Sequence, residues 1–313
     1  MTPADLSRCV VSAVRHAVED GELGGIVPAR VVVERTRPGG VGEYATPVAF
    51  QIAKGAGLRP AQVAEVLARR LGGVAGIERV EITGAGFLNF SLTSVSAARL
   101  VRDVRPLAVV EVPDPPSGES REPRERFVRA AVARIEAAQG VGPGPEFPIA
   151  PVARRDGDVL ARYGVDAVAW AVLTTPARET PEFSDTLLVQ GEGNELFRVR
   201  YAHARAHALV RNAEQLGFRP EIGDDVDAPA LLRVLADHPL VLEAAAHHRA
   251  PERLARHLVE LADALLDFQY RVLPQGDEKP SAAHRARLAL AEAVGTVLAG
   301  GLALLGIDAP TRL

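Results

Sequence analysis

The chain has 313 residues, 47% hydrophobic and 24% charged, which gives room for two domains with a sizeable core and excludes wholesale disorder. A formal net charge of −4 excludes indiscriminate coating of nucleic acid, because such binding is largely phosphate neutralisation and needs a basic excess. Lys54 and Lys279 are the only lysines among 36 basic residues, so any cationic patch is made of planar guanidinium groups that stack as well as pair.

Residues 4–20 read as an amphipathic helix, interrupted by Asp5, Arg8, Arg15, His16, Glu19 and Asp20 and so lacking the apolar core of a signal peptide. Within it Cys9 is the sole cysteine of the chain, which leaves no partner for an internal disulfide or a Cys-rich zinc site and fits a cytoplasmic location. "VVVERTR" (31–37) reads as a strand, and "TPVAFQIAKGAG" (46–57) and "PAQVAEVLARRLGG" (60–73) read as short helices, the second opening on Pro60. "IERVEIT" and "GFLNFSL" follow as two strands joined by a Gly-containing turn. Together these form a small α+β domain over residues 1–105.

Residues 106–155 read as a connector: Pro, Gly and charge are dense over 113–125 and 140–151, with an arginine-rich helical piece between them at 126–139. From residue 156 to 313 nearly every segment has helical spacing, with breaks near 176–181, 217–229 and 274–281. That pattern describes an all-α bundle of five or six helices. The most apolar stretch, 288–307, is long enough to suggest a membrane span, yet its Ala, Gly and Glu292 place it inside the bundle instead. No internal repeat, nucleotide-binding glycine loop or sustained heptad is evident.

"RVRYAHARAHALVRNA" (198–213) concentrates the chemistry, and four readings compete for it: metal site, catalytic base, nucleic-acid surface, or ordinary amphipathic helix. His203 and His207 share a helical face, but the glutamate of an H-E-x-x-H motif and a third ligand are missing, so no metal is expected. At about 100° per residue, Leu196, Val199, Ala202, His203, Ala206, Leu209 and Val210 collect on one side, which makes His203 a packing residue. The opposite stripe holds Asn194, Arg198, Tyr201, Arg205 and Asn212. An aromatic ring interleaved with guanidinium groups suits unstacked RNA bases and phosphates, although an arginine-rich helix face is more often simply solvated.

Two blocks of the sequence resemble the arginyl-tRNA synthetases. "YGVDAVAWAVLTTPARETPEFS", then "RYAHARAHALVRNA", then "RLALAEAVGTVLAGGLALLGIDAPTRL" are similar to that family's helical, DALR-type anticodon-binding domain. "GEYATPVAFQIAKGAGLRPAQVAEVLARRL" and "GAGFLNFSL" are similar to its N-terminal additional domain, which reads the corner and D-loop of the tRNA. The family's Rossmann-type catalytic domain, with its HxGH and KMSKS-type signatures, has no counterpart in the roughly sixty intervening residues.

The resemblance therefore implies a non-catalytic relative that needs no cofactor and keeps tRNA, by expectation arginine tRNA, as its partner. An alternative is a protein-interaction module that docks on a synthetase or an amino-acid-modifying enzyme. Carried over by residue, the additional domain's contacts correspond to Phe87 and Asn89, and the anticodon-facing helix contributes Tyr201 and Arg205, with Arg198 on the same stripe. Leu313 stands where the family commonly ends in methionine. The signature histidines align with Glu119 and Glu122, which would repel ATP phosphates. Gln269 replaces one member of an aromatic pair at 268 and 269, and His257 replaces a common tyrosine, which puts specificity for arginine tRNA in question.

Overall fold

Thr2 starts the first helix, α1 (Pro3–Glu19): its hydroxyl accepts from the Asp5 amide while the Asp5 carboxylate accepts from the Thr2 amide, and Pro3 fills the first turn. Leu6, Val10, Val14 and Ala17 then fall on one buried face, which packs on α3 (Pro60–Leu71) through Val63, Leu67 and Leu71. The computed structural model describes residues 1–37, 39–107, 122–224 and 226–313. The chain divides into two units, Met1–Val95 and Ser96–Leu313. The first is α+β and the second, among its described residues, all-α, with no Rossmann-type sheet.

In the first unit the strands β1 (Glu34–Arg35), β2 (Tyr44–Thr46), β3 (Ile77–Thr83) and β4 (Phe87–Leu92) form an antiparallel sheet in the order β1-β2-β4-β3. The expected strand over 31–37 is mostly not one. The carbonyl of Val31 accepts from the Ser7 hydroxyl at 2.9 Å and that of Val32 from the Thr46 hydroxyl at 2.6 Å, so side chains take acceptors that a ladder would use. Thr46, expected in the following helix, instead ends β2, and α2 (Val48–Ala56) starts after Pro47. Gly86, at φ +138°, turns the β3–β4 hairpin where a Cβ would come within 2.8 Å of the Pro60 backbone. This close approach sets the start of β4 beside the start of α3.

The second unit contains α4 (Ala97–Asp103), α5 (Pro123–Ala138), α6 (Val159–Tyr163), α7 (Val165–Thr174), α8 (Glu195–Gln215), α9 (Pro229–His248), α10 (Pro251–Phe268) and α11 (Ala282–Leu305). Leu254, Leu258, Leu261 and Leu265 give α10 a fully buried stripe against α7, α8, α9 and α11. Although α11 is long and apolar enough to cross a membrane, 78% of its most apolar window is buried inside this bundle.

The arginine-rich piece within 106–155 is α5, and it packs on α7, α9 and α11 through Val128, Ala131, Val132 and Ile135. Arg124, wholly buried, donates to the carbonyls of Ala150, Thr175, Pro176 and Glu179 and so ties two loops to this helix. Glu122, aligned with a signature histidine, caps α5 and accepts from the Val152 amide at 2.8 Å. Its carboxylate is thus engaged by backbone amides. Glu119 lies outside the described residues.

Candidate nucleic-acid interface

Asn194 opens α8 by accepting from the Phe197 amide, while its own amide donates to the carbonyls of Leu187 and Val189. It is therefore a buried cap and not part of an exposed stripe. The inner face of α8 carries Leu196, Val199, Ala202, His203, Ala206, Leu209 and Ala213. Small residues let it approach α11 closely, and a Cβ on Gly295 would lie 2.8 Å from that of Ala206.

Outward on α8, Tyr201 is 42% exposed and its ring lies parallel to that of Phe197, one turn earlier, with centroids 5.9 Å apart and planes at 15°. Arg198 sits beside them, but its guanidinium pairs with Asp263 of α10 at 3.2 Å and donates to the Glu192 carbonyl. Arg205 donates through Nε to Oε1 of Gln269 at 2.6 Å, and it carries no other hydrogen bond or ion pair to a described residue. Gln269, just beyond α10, is buried and donates in turn to the Leu266 carbonyl at 2.9 Å. Its neighbour Tyr270 is exposed. The stripe thus lies over the seam between α8 and α10, with Tyr201 and the terminal amino groups of Arg205 as its accessible chemistry.

The C-terminal tail follows another side of α8. Arg200 donates to the Asp308 carbonyl at 2.9 Å, His203 Nδ1 to that of Pro310 at 3.0 Å, and Arg211 to that of Thr311 at 3.4 Å. Burial pushes the His203 imidazole below its ordinary pKa, which keeps the ring neutral and suits a single donated hydrogen bond. Leu313 at the end of this tail is 62% exposed. His207 is exposed and meets His203 edge to face, and no group of three or more potential metal ligands occurs among the described residues.

In the first unit Phe87 and Asn89 alternate on β4 but end in different surroundings. Phe87 is 44% exposed and touches the exposed Phe50 of α2 at a centroid distance of 4.9 Å. Asn89 is only 6% exposed, and its amide donates to the Thr83 hydroxyl at 2.8 Å across the hairpin. Phe87 therefore presents an accessible ring, whereas Asn89 holds β3 to β4. The sequence pattern singled out Gln269 only as a departure from an aromatic pair, and did not mark Phe50, Phe197 or Tyr270. Of these three only Phe197 carried a signal, its four-residue spacing from Tyr201.

Residues 6–92 match the family described as "Arginyl tRNA synthetase N terminal domain" and residues 199–313 the family described as "DALR anticodon binding domain". Among solved structures, the Thermus thermophilus arginyl-tRNA synthetase is similar over 100% of both chains at 15% identity and a TM-score of 0.66. The arginyl-tRNA synthetase of Plasmodium falciparum is similar over 99% of each chain at 9% identity and a TM-score of 0.64. At these identities the likeness is one of fold. A Campylobacter jejuni protein described as an arginyl tRNA synthetase matches at 23% identity over 50% of this chain and 35% of its own, with a TM-score of 0.42.

The second unit thus ends in an anticodon-binding domain of the DALR class, and the first is an arginyl-tRNA-synthetase N-terminal domain. Two stretches of the chain are similar to the N-terminal and anticodon-binding domains of the arginyl-tRNA synthetases.

Proposed function

We propose that the protein is a non-catalytic tRNA-binding protein of the cytoplasm that holds, sequesters or delivers its tRNA, a paralogue of the synthetases without their charging reaction. The observation that carries this reading is Tyr201, exposed above Phe197 and next to Arg205, on the outer face of α8 within the matched anticodon-binding domain. An accessible ring stacks an unpaired base, and a guanidinium with free terminal donors takes an RNA phosphate or base edge. Phe87, backed by Phe50, gives the first unit a second stacking surface suited to a looped-out base.

The non-catalytic part of the reading rests on chemistry. Adenylate formation needs preorganised groups around the transferring phosphate, and the described residue aligned with a signature histidine, Glu122, is a carboxylate occupied in capping α5. Two experiments test the proposal. Crosslinking in cells is expected to recover tRNA on the protein, and purified protein is expected to show no arginine-dependent exchange of pyrophosphate into ATP. Recovery of other RNA classes in place of tRNA, or measurable exchange, overturns it.

A further inference from the structure

Gln269 departs from the aromatic expected at its position, and it makes the one hydrogen bond that Arg205 has within the described chain. Its amide is held at both ends: Oε1 accepts from Arg205 Nε at 2.6 Å, and Nε2 donates to the Leu266 carbonyl at 2.9 Å. Because the donor end is fixed by Leu266, the acceptor end cannot rotate away from Arg205. Gln269 is itself buried, so water does not compete freely for this bond.

A guanidinium is a rigid plane with five donors. Fixing Nε to a buried acceptor sets that plane and leaves the two terminal amino groups as a paired edge pointing away from Gln269. Such an edge matches two oxygens of a phosphate, for which a bidentate arrangement adds geometry to charge. Arg198, by contrast, is paired with Asp263 and capped on Glu192, so among the described residues Arg205 is the cation of this stripe without a carboxylate partner.

We infer that Gln269 is a positioning residue that orients Arg205 to receive a backbone phosphate of the bound RNA. The inference rests on the tRNA-binding reading above. The test measures binding of unfractionated tRNA by the full chain carrying Arg205→Ala, Gln269→Met or both, at several salt concentrations, with thermal melting as a control for folding. Methionine preserves side-chain length and removes both amide hydrogen bonds.

Each single variant is expected to bind about tenfold more weakly, the value of one charge-assisted contact. The double variant is expected to be no weaker than Arg205→Ala, and both single variants are expected to reduce the slope of affinity against salt by about one contact. Losses that multiply in the double variant, or wild-type affinity in Gln269→Met, overturn the positioning role. An unchanged salt slope overturns the phosphate assignment. If wild-type protein does not bind tRNA at all, the failure lies with the proposed function; if it binds and Arg205→Ala matches it, the failure lies with this inference.

Discussion

Lowering the pH is expected to weaken the bundle through one residue, His238. Its ring is buried on α9, stacks on His257 of α10 with centroids 5.2 Å apart, and its Nδ1 finds no hydrogen-bond partner among the described residues. Burial pushes its pKa down from 6.5 to about 4. The folded state therefore binds this proton less readily than the unfolded chain. Stability from this site is complete above about pH 6.5 and falls as the pH drops toward about 4. At about 1.4 kcal/mol per pH unit the full interval amounts to roughly 3 kcal/mol, with between about 2 and 3 lost by pH 4.5.

The assay is urea denaturation at pH 7 and pH 4.5 for wild type and His238→Leu. Carboxylates titrate in both proteins, so the difference between their acid losses isolates the histidine. The variant is expected to hold its stability at pH 7, since it removes an unpartnered buried nitrogen, and to lose about 2 kcal/mol less than wild type on acidification. Equal acid losses in the two proteins would refute the reasoning.

Three other outcomes follow from the site and its support. Tyr201→Ala is expected to weaken tRNA binding by about 1 to 3 kcal/mol, the worth of one base stack, without lowering the melting temperature; equilibrium titration and melting together check this. In the first unit the two neighbours on β4 separate by assay: Phe87→Ala lowers tRNA affinity, and Asn89→Ala costs about 1 kcal/mol of stability in urea by breaking its bond to Thr83. Gly295→Val forces α11 from α8 at the Ala206 contact and is expected to cost about 1 to 3 kcal/mol of stability, read by urea melts.

The elements with strong periodicity were legible from sequence alone. α1, β3, β4, the Pro60 helix and the buried character of α11 follow from patterns that depend on near neighbours. Residues 31–37 misled because their carbonyl partners, Ser7 and Thr46, are distant in sequence or already assigned elsewhere. The break between α9 and α10 is punctuated by Pro251 but has no glycine: Arg249 takes a left-handed conformation at φ +51°, its side chain held by Glu136 and the Pro145 carbonyl, where sequence favours glycine.

At the site, a helical wheel separates inside from outside but not free from engaged. It placed Tyr201 and Arg205 outward, and could not reveal that Asp263 and Gln269 on the neighbouring elements take up Arg198 and part of Arg205. Asn194 and Asn89 are polar for reasons of capping and hairpin bonding, which a pattern of polar residues cannot distinguish from ligand contact.

The account stands on tRNA recognition, and direct titration of purified protein with tRNA and with an unrelated folded RNA of similar size, at moderate salt, tests it most directly. Saturable binding that prefers tRNA, and that falls in Tyr201→Ala and Arg205→Ala, is the expected result. Equal affinity for both RNAs would contradict it.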